Sequence, residues 1–187
     1  MSKEHLAAMV LERAEQNADR TAMRIQVDGQ WQSTSYREMC EAIRRLARAL
    51  LASGVQAGDR VGIFSRNRPE WSLADFATAC VGAVSVPIYA TNTTAQAAYI
   101  VDEAEIALLF VGDQGHYDKA RSLLGRSASL TTIIVFDETV PINGDESKTI
   151  SQFSALGDDL SLDAEIDARL DAASPDDLTT IIYTSGT

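Results

Sequence analysis

The stretch VGIFSRNRPEWSLADFATACVGAVSVPIY, residues Val61–Tyr89, sets the fold by its rhythm. Val61 to Phe64 is a short apolar run of the kind that forms a strand buried on both faces. Pro69 suits the first turn of a helix, where its missing N–H costs nothing. That helix is expected to carry Trp71, Leu73, Phe76 and Ala77 inward. Val84 to Tyr89 returns as a second strand, with Pro87 marking its end or a bulge. The alternation then continues. Thr93 with Gln96 three residues later has the pattern of a capping box opening a helix through Ile100. Ala107 to Val111 is a third strand, Asp113 can cap a helix through Leu124, and Thr132 to Phe136 is a fourth strand. Strands and helices at this spacing predict βαβ units, hence an α/β fold with a doubly wound, mostly parallel sheet and flanking helices.

Upstream the pattern differs. Leu6, Met9, Val10 and Arg13 follow helical spacing and predict an amphipathic first helix. Ala22 to Val27 and Trp31 to Ser35 flank Asp28-Gly29, a pair that favours a type I′ hairpin turn. From Tyr36 to Ser53 a long helix is expected, with Met39, Ile43, Leu46, Ala47, Leu50 and Leu51 on one face and Gly54 ending it. Arg44, Arg45 and Arg48 occupy the other face and read as solvated charge.

The 187 residues suit one compact domain, and a 45% apolar content supports a buried core. Charge is uneven: Met1 to Phe136 holds 15 acidic and 14 basic residues, whereas Asp137 to Thr187 holds 12 and 2. The late acidic surplus reads as a solvated surface segment and argues against nucleic-acid binding. Neither an integral membrane segment nor a signal peptide is evident, so a cytoplasmic protein is expected, with peripheral membrane association left open. Cys40 and Cys80 read as ordinary thiols, and neither they nor His5 and His116 show metal-ligand spacing. Asp102, Glu103 and Glu105 read as surface charge, Trp31 as a hairpin cover and Trp71 as packing between helix and sheet. The expected parts are residues 1–55 (helix, hairpin, long helix), 56–136 (βαβ core), 137–175 (acidic variable segment) and 176–187 (last strand and a polar loop).

That last part holds the chemistry. Leu178 to Tyr183 is a β-rich run, followed by Thr184-Ser185-Gly186-Thr187. Three hydroxyls and a glycine after a strand can present backbone N–H and O–H donors to phosphate oxygens, though polar turns of this composition are common. No Walker-type Gly-x-x-x-x-Gly-Lys-Ser/Thr occurs.

The run Asp176 to Thr187 closely resembles the start of the phosphate-loop signature of the adenylate-forming superfamily, Tyr-Thr-Ser-Gly-Thr-Thr-Gly-x-Pro-Lys-Gly, of which it supplies five positions. Gly58 to Ile63 resembles that family's first strand of this sheet. Asn67 to Trp71 and Val84 to Thr94 resemble long-chain fatty acyl-CoA synthetases in particular. The resemblance covers about Tyr36 to Thr187 and is poorest after Phe136. It implies part of the large N-terminal domain of an AMP-forming ligase that uses ATP, Mg2+ and coenzyme A to turn a fatty acid into its acyl-CoA through an acyl-adenylate. It also implies that Thr184, Ser185, Gly186 and Thr187 contact the ATP phosphates, that catalytic residues lie in later sequence, and that the chain alone is inactive. Another adenylate-forming enzyme (an aryl-CoA ligase or amino-acid adenylation domain) and a non-catalytic α/β binding module are the alternatives.

Overall fold

The computed structural model describes residues 5–184. Helix α1 (Leu6–Gln16) leads into a hairpin of β1 (Thr21–Val27) and β2 (Gln30–Ser35), then α2 (Tyr36–Ala52). Asp28 and Gly29 both have positive φ, 49° and 77°, as a type I′ turn demands. Ser35 and Glu38 cap α2 reciprocally, and Gly54 follows its end at φ 86°. The alternating part comprises β3 (Arg60–Phe64), α3 (Pro69–Cys80), β4 (Val84–Ile88), α4 (Thr94–Glu103), β5 (Leu108–Val111), α5 (Gln114–Arg121) and β6 (Thr132–Val135). It is followed by β7 (Ser147–Thr149), α6 (Ile150–Ala155), two short 3-10 turns and α7 (Asp163–Ala172).

Strands β3 to β7 form one wholly parallel sheet in the order β4-β3-β5-β6-β7. The chain goes to one side of β3 first and then to the other, which is the doubly wound arrangement. Helices cover both faces. Ile63, Phe110, Ile134 and Phe136 point to the layer built by α1, α2, α3, α6 and α7. Phe64, Leu109, Val111, Ile133 and Val135 point to α4 and α5. Double coverage is why β3 and β5 are continuous apolar runs rather than alternating ones. Phe110 stacks on Phe136 at 5.5 Å and meets Phe153 of α6 edge-on at 5.8 Å.

Several expectations need correction. The buried face of α1 is Ala7, Ala8, Leu11 and Ala14, while Leu6 and Met9 are nearly half exposed. Small side chains let α1 approach α2 and α3 closely, and that contact outweighs residue hydrophobicity in choosing the face. Arg44, Arg45 and Arg48 are not a free solvated face. Arg44 pairs with Asp163 and Asp167, Arg45 with Asp158, and the buried Arg48 with Asp163. The acidic segment is thus partly folded back onto α2, and it contains β7 and α7, which its composition did not announce. Leu178 to Tyr183 is not a strand. It runs beside β4 through one parallel bridge, Ser85 with Thr180. The Ser85 N–H donates to the Thr179 carbonyl at 2.9 Å, and the Ile181 N–H to the Ser85 carbonyl at 3.0 Å. Ser85 and Pro87 face the same way on β4, so the next donor in that row would be Pro87, which has none. The ladder stops there.

Candidate functional site

Ligands of open α/β sheets sit beyond the carboxyl ends of the strands, by preference where the strand order reverses. Here the reversal lies between β3 and β5, and it is filled. Gly112 follows β5 so closely beside Ser65 that an added Cβ would stand 2.5 Å from the Ser65 hydroxyl oxygen. Arg68 closes the same place, donating to the Gly112 carbonyl at 2.9 Å while paired with Glu70 at 2.8 Å.

The open space lies one strand over, beyond β4. A groove of about 630 Å³ is lined by Tyr89, Asn92, Gln96, Tyr99, Tyr183 and Thr184, among others. Thr184 is exposed, and the single Ser85–Thr180 bridge brings the chain leading to it to this edge. Tyr183 packs edge-on against Tyr99, ring centroids 6.2 Å apart. Burial, then the charge of Glu103, pushes the Tyr183 phenol up, so it remains an O–H donor. Of the four residues assigned to phosphate binding, Thr184 is the one described; Ser185, Gly186 and Thr187 lie outside the described residues.

The loop between β4 and α4 forms the near wall. Its Thr93 caps α4, accepting from the Gln96 N–H at 3.3 Å while the Gln96 side chain accepts from the Thr93 N–H at 2.8 Å. Two residues of α5 hold the same loop from behind. Lys119 donates to the Asn92 carbonyl at 2.8 Å, and His116 Nε2 lies 3.1 Å from the Ala90 carbonyl. The other ring nitrogen of His116 meets Asp113 at 2.7 Å.

The capping box was read from the sequence, but Tyr99, Lys119 and His116 were missed as parts of this wall. Tyr99 carried a usable signal, because it lies off the Ala97, Ile100 and Val101 face of α4 and had to be exposed. His116 follows its capping Asp113 by three residues, a spacing that brings side chain and cap together.

A second cavity of about 430 Å³ lies at the opposite, amino ends of the strands, between His5, Gly58, Gly82, Arg169 and Thr179. Its arginine is already committed to Glu165 and to the Val55 and Val81 carbonyls. Among the described residues no three of His, Cys, Asp and Glu gather to hold a metal ion, so none is assigned to magnesium. Asp102 and Glu103 are exposed as expected, and Glu105 pairs with Arg60 at 2.5 Å. Burial pushes the Cys80 thiol up to about 12 and raises that of Cys40 as well, which disfavours the thiolate at both. Among the described residues no helix is long and apolar enough to cross a membrane.

Residues 10–187 match the family model described as AMP-binding enzyme. The chain is 37% identical over 185 residues to the long-chain-fatty-acid–CoA ligase FadD15 of Mycobacterium bovis, covering 98% of this chain and 30% of that protein. It is 33% identical over 166 residues to fatty acyl-CoA synthetase A of Dictyostelium discoideum, covering 84% and 24%. Among solved structures, the anthranilate CoA ligase AuaEII in complex with anthranoyl-AMP superposes with a TM-score of 0.74 at 20% identity, over 96% of this chain and 32% of that one. The coronafacic acid ligase of Pectobacterium brasiliense gives 0.74 at 15% identity, over 95% and 33%. The chain therefore spans about a third or less of the length of these four proteins.

Proposed function

The chain belongs to the AMP-binding enzyme family, and on that premise we propose that it forms the N-terminal part of an AMP-forming ligase that activates a long-chain fatty acid to its acyl-CoA. The acid's carboxylate attacks the α-phosphorus of ATP, releasing pyrophosphate and giving an acyl-adenylate. The coenzyme A thiol then displaces AMP to leave the thioester. Thr184, Ser185, Gly186 and Thr187 are the phosphate contacts. Their hydroxyl and N–H donors meet the charge that builds on the departing pyrophosphate, the largest electrostatic demand of the first step. Magnesium, when bound, shares that charge. None of the four is a nucleophile or a base.

The observation that carries the reading is the course of residues 178–184. They run beside β4 to the carboxyl edge of a parallel sheet, and the hydroxyl-rich sequence begins there next to an open groove. The long-chain substrate is supported by the names of the relatives at 37% and 33% identity. The 187-residue chain by itself is inactive in this reading, because the family resemblance puts the catalytic residues in later sequence.

The test uses the complete gene product with ATP, Mg2+, coenzyme A and fatty acids of increasing length, following AMP and pyrophosphate. Acid-dependent AMP release that favours long chains is expected. Release of ADP, or no dependence on any acid, would overturn the assignment. Acyl-CoA formation by the 187-residue chain would refute its inactivity.

A further inference from the structure

We propose that the cavity at the amino ends of the strands is a binding site for a small organic ammonium ion with an apolar body, held between Asp177 and the open end of α7. It lies at the other end of the sheet from the candidate phosphate site and does not depend on that reading.

The walls are of two kinds. Ala79, Ala83, Val84 and Leu178 give much of the 430 Å³ cavity a small, apolar lining, suited to a ring or a short alkyl chain. The polar part of the wall is His5, Arg169, Asp177 and Thr179. His5 is 7% exposed, yet its Nδ1 has no hydrogen-bond partner among the described residues. It stands at the N-cap of α1 and makes no side-chain cap bond. Buried polar atoms are paired as a rule, so an unmatched one on a cavity wall points to a molecule bound there.

Charge decides the class of that molecule. Arg169 is turned away from the cavity's needs. Its Nε donates to Glu165 at 2.8 Å, and its Nη1 to the Val55 and Val81 carbonyls at 3.3 and 2.9 Å. Those carbonyls follow α2 and α3, so the one arginine of the last turn of α7 serves two other helices. The end of α7 is left open. Its C-cap Ala173 is extended at φ −65° and ψ 140°, and among the described residues no N–H from beyond the helix donates to the last-turn carbonyls. Ala172 and Ala173 border the cavity. Carbonyls at a helix end carry partial negative charge and favour a cation. Asp177 adds a full negative charge. Its Oδ2 accepts the Ser174 N–H at 2.8 Å, and its Oδ1 has no partner among the described residues. An anion would meet these oxygens with no uncommitted arginine or lysine on the wall to offset them. An ammonium group brings N–H donors to the carboxylate and the carbonyls together.

The experiment is calorimetric titration of the complete gene product with phenethylammonium and with 2-phenylethanol, which has the same ring and chain but no charge. Saturable one-to-one binding of the amine is expected, about tenfold tighter than that of the alcohol. Asp177→Asn keeps an oxygen for the Ser174 N–H and removes the charge, and it weakens the amine about tenfold. Ala173→Phe puts a ring into the mouth of the cavity, at backbone angles open to any residue, and abolishes binding. No saturable binding, equal affinity for the two compounds, or an unchanged affinity in either variant would overturn the proposal. Were a variant not to fold, the contrast between amine and alcohol on the wild type still decides. Binding is read without turnover, so a failure to release AMP would remove the phosphate reading and leave this result in place.

Discussion

Arg48 donates its Nε–H to the carbonyl oxygen of Gly157 at 2.6 Å, across 109 residues of chain. Gly157 lies so close to α2 that a side chain there would run into the backbone carbonyl of Arg45 and the amide nitrogen of Ala49. The acidic segment is therefore seated on α2 by backbone proximity as well as by charge.

Gly157→Ala is expected to destabilise the chain by about 1–3 kcal/mol, the usual cost of overpacking. The φ and ψ of Gly157, −93° and 17°, are open to any residue, so the cost is steric. The neighbours are helix backbone and cannot rotate away. Urea unfolding measures it, and an unchanged midpoint would contradict the close approach.

Arg48 and Arg45 should differ sharply. The Arg48 side chain is 9% exposed and that of Arg45 46%. Arg48→Ala leaves the Gly157 carbonyl without this donor and removes one of the two arginines from Asp163, costing about 2–4 kcal/mol. Arg45→Ala breaks an exposed pair worth about 1 kcal/mol or less. Equal losses in thermal or urea melts would mean that charge alone, and not the buried bond, holds the segment.

Asp75 runs against the usual acid dependence. Burial pushes its carboxyl above the ordinary range, and the nearby Ser85 hydroxyl only softens the effect. A carboxyl that binds its proton more tightly when folded subtracts stability as pH rises between its unfolded and folded values. Asp75→Asn is expected to match or exceed the wild type at neutral pH, with the difference shrinking as pH falls through that window. A variant less stable at pH 7 than wild type would show that the charged form is needed.

Pro87→Val restores the N–H that the row facing residues 178–183 lacks. Amide exchange at Ile181 should slow by about threefold to tenfold as one more hydrogen bond forms. Unchanged exchange from Thr179 to Tyr183 would mean that something other than Pro87 ends the ladder.

Much of this was legible beforehand because the signals are local. Thr93 and Gln96 close their box within one turn, Asp28-Gly29 needs only its own φ angles, and apolar runs such as Val61–Phe64 declare burial on both faces. The α1 face, the arginine row and the run at 178–183 were misread for one reason. Each was settled by a surface contributed from elsewhere in the chain: α2 and α3 for α1, the 156–173 segment for the arginines, and β4 with its proline for the run. His116 belongs with these, since its second hydrogen bond comes from a carbonyl 26 residues away.

By itself the sequence determined the alternating α/β order, the caps and hairpin turn, and the hydroxyl-rich motif from Thr184 to Thr187, because backbone preference and hydrophobic period act over a few residues. Only the tertiary structure decided that the switch between β3 and β5 is filled, that the groove opens beyond β4, and that α5 holds its wall. Those depend on which backbones come within contact distance, and contact between distant segments is set by packing of the whole core rather than by any local pattern.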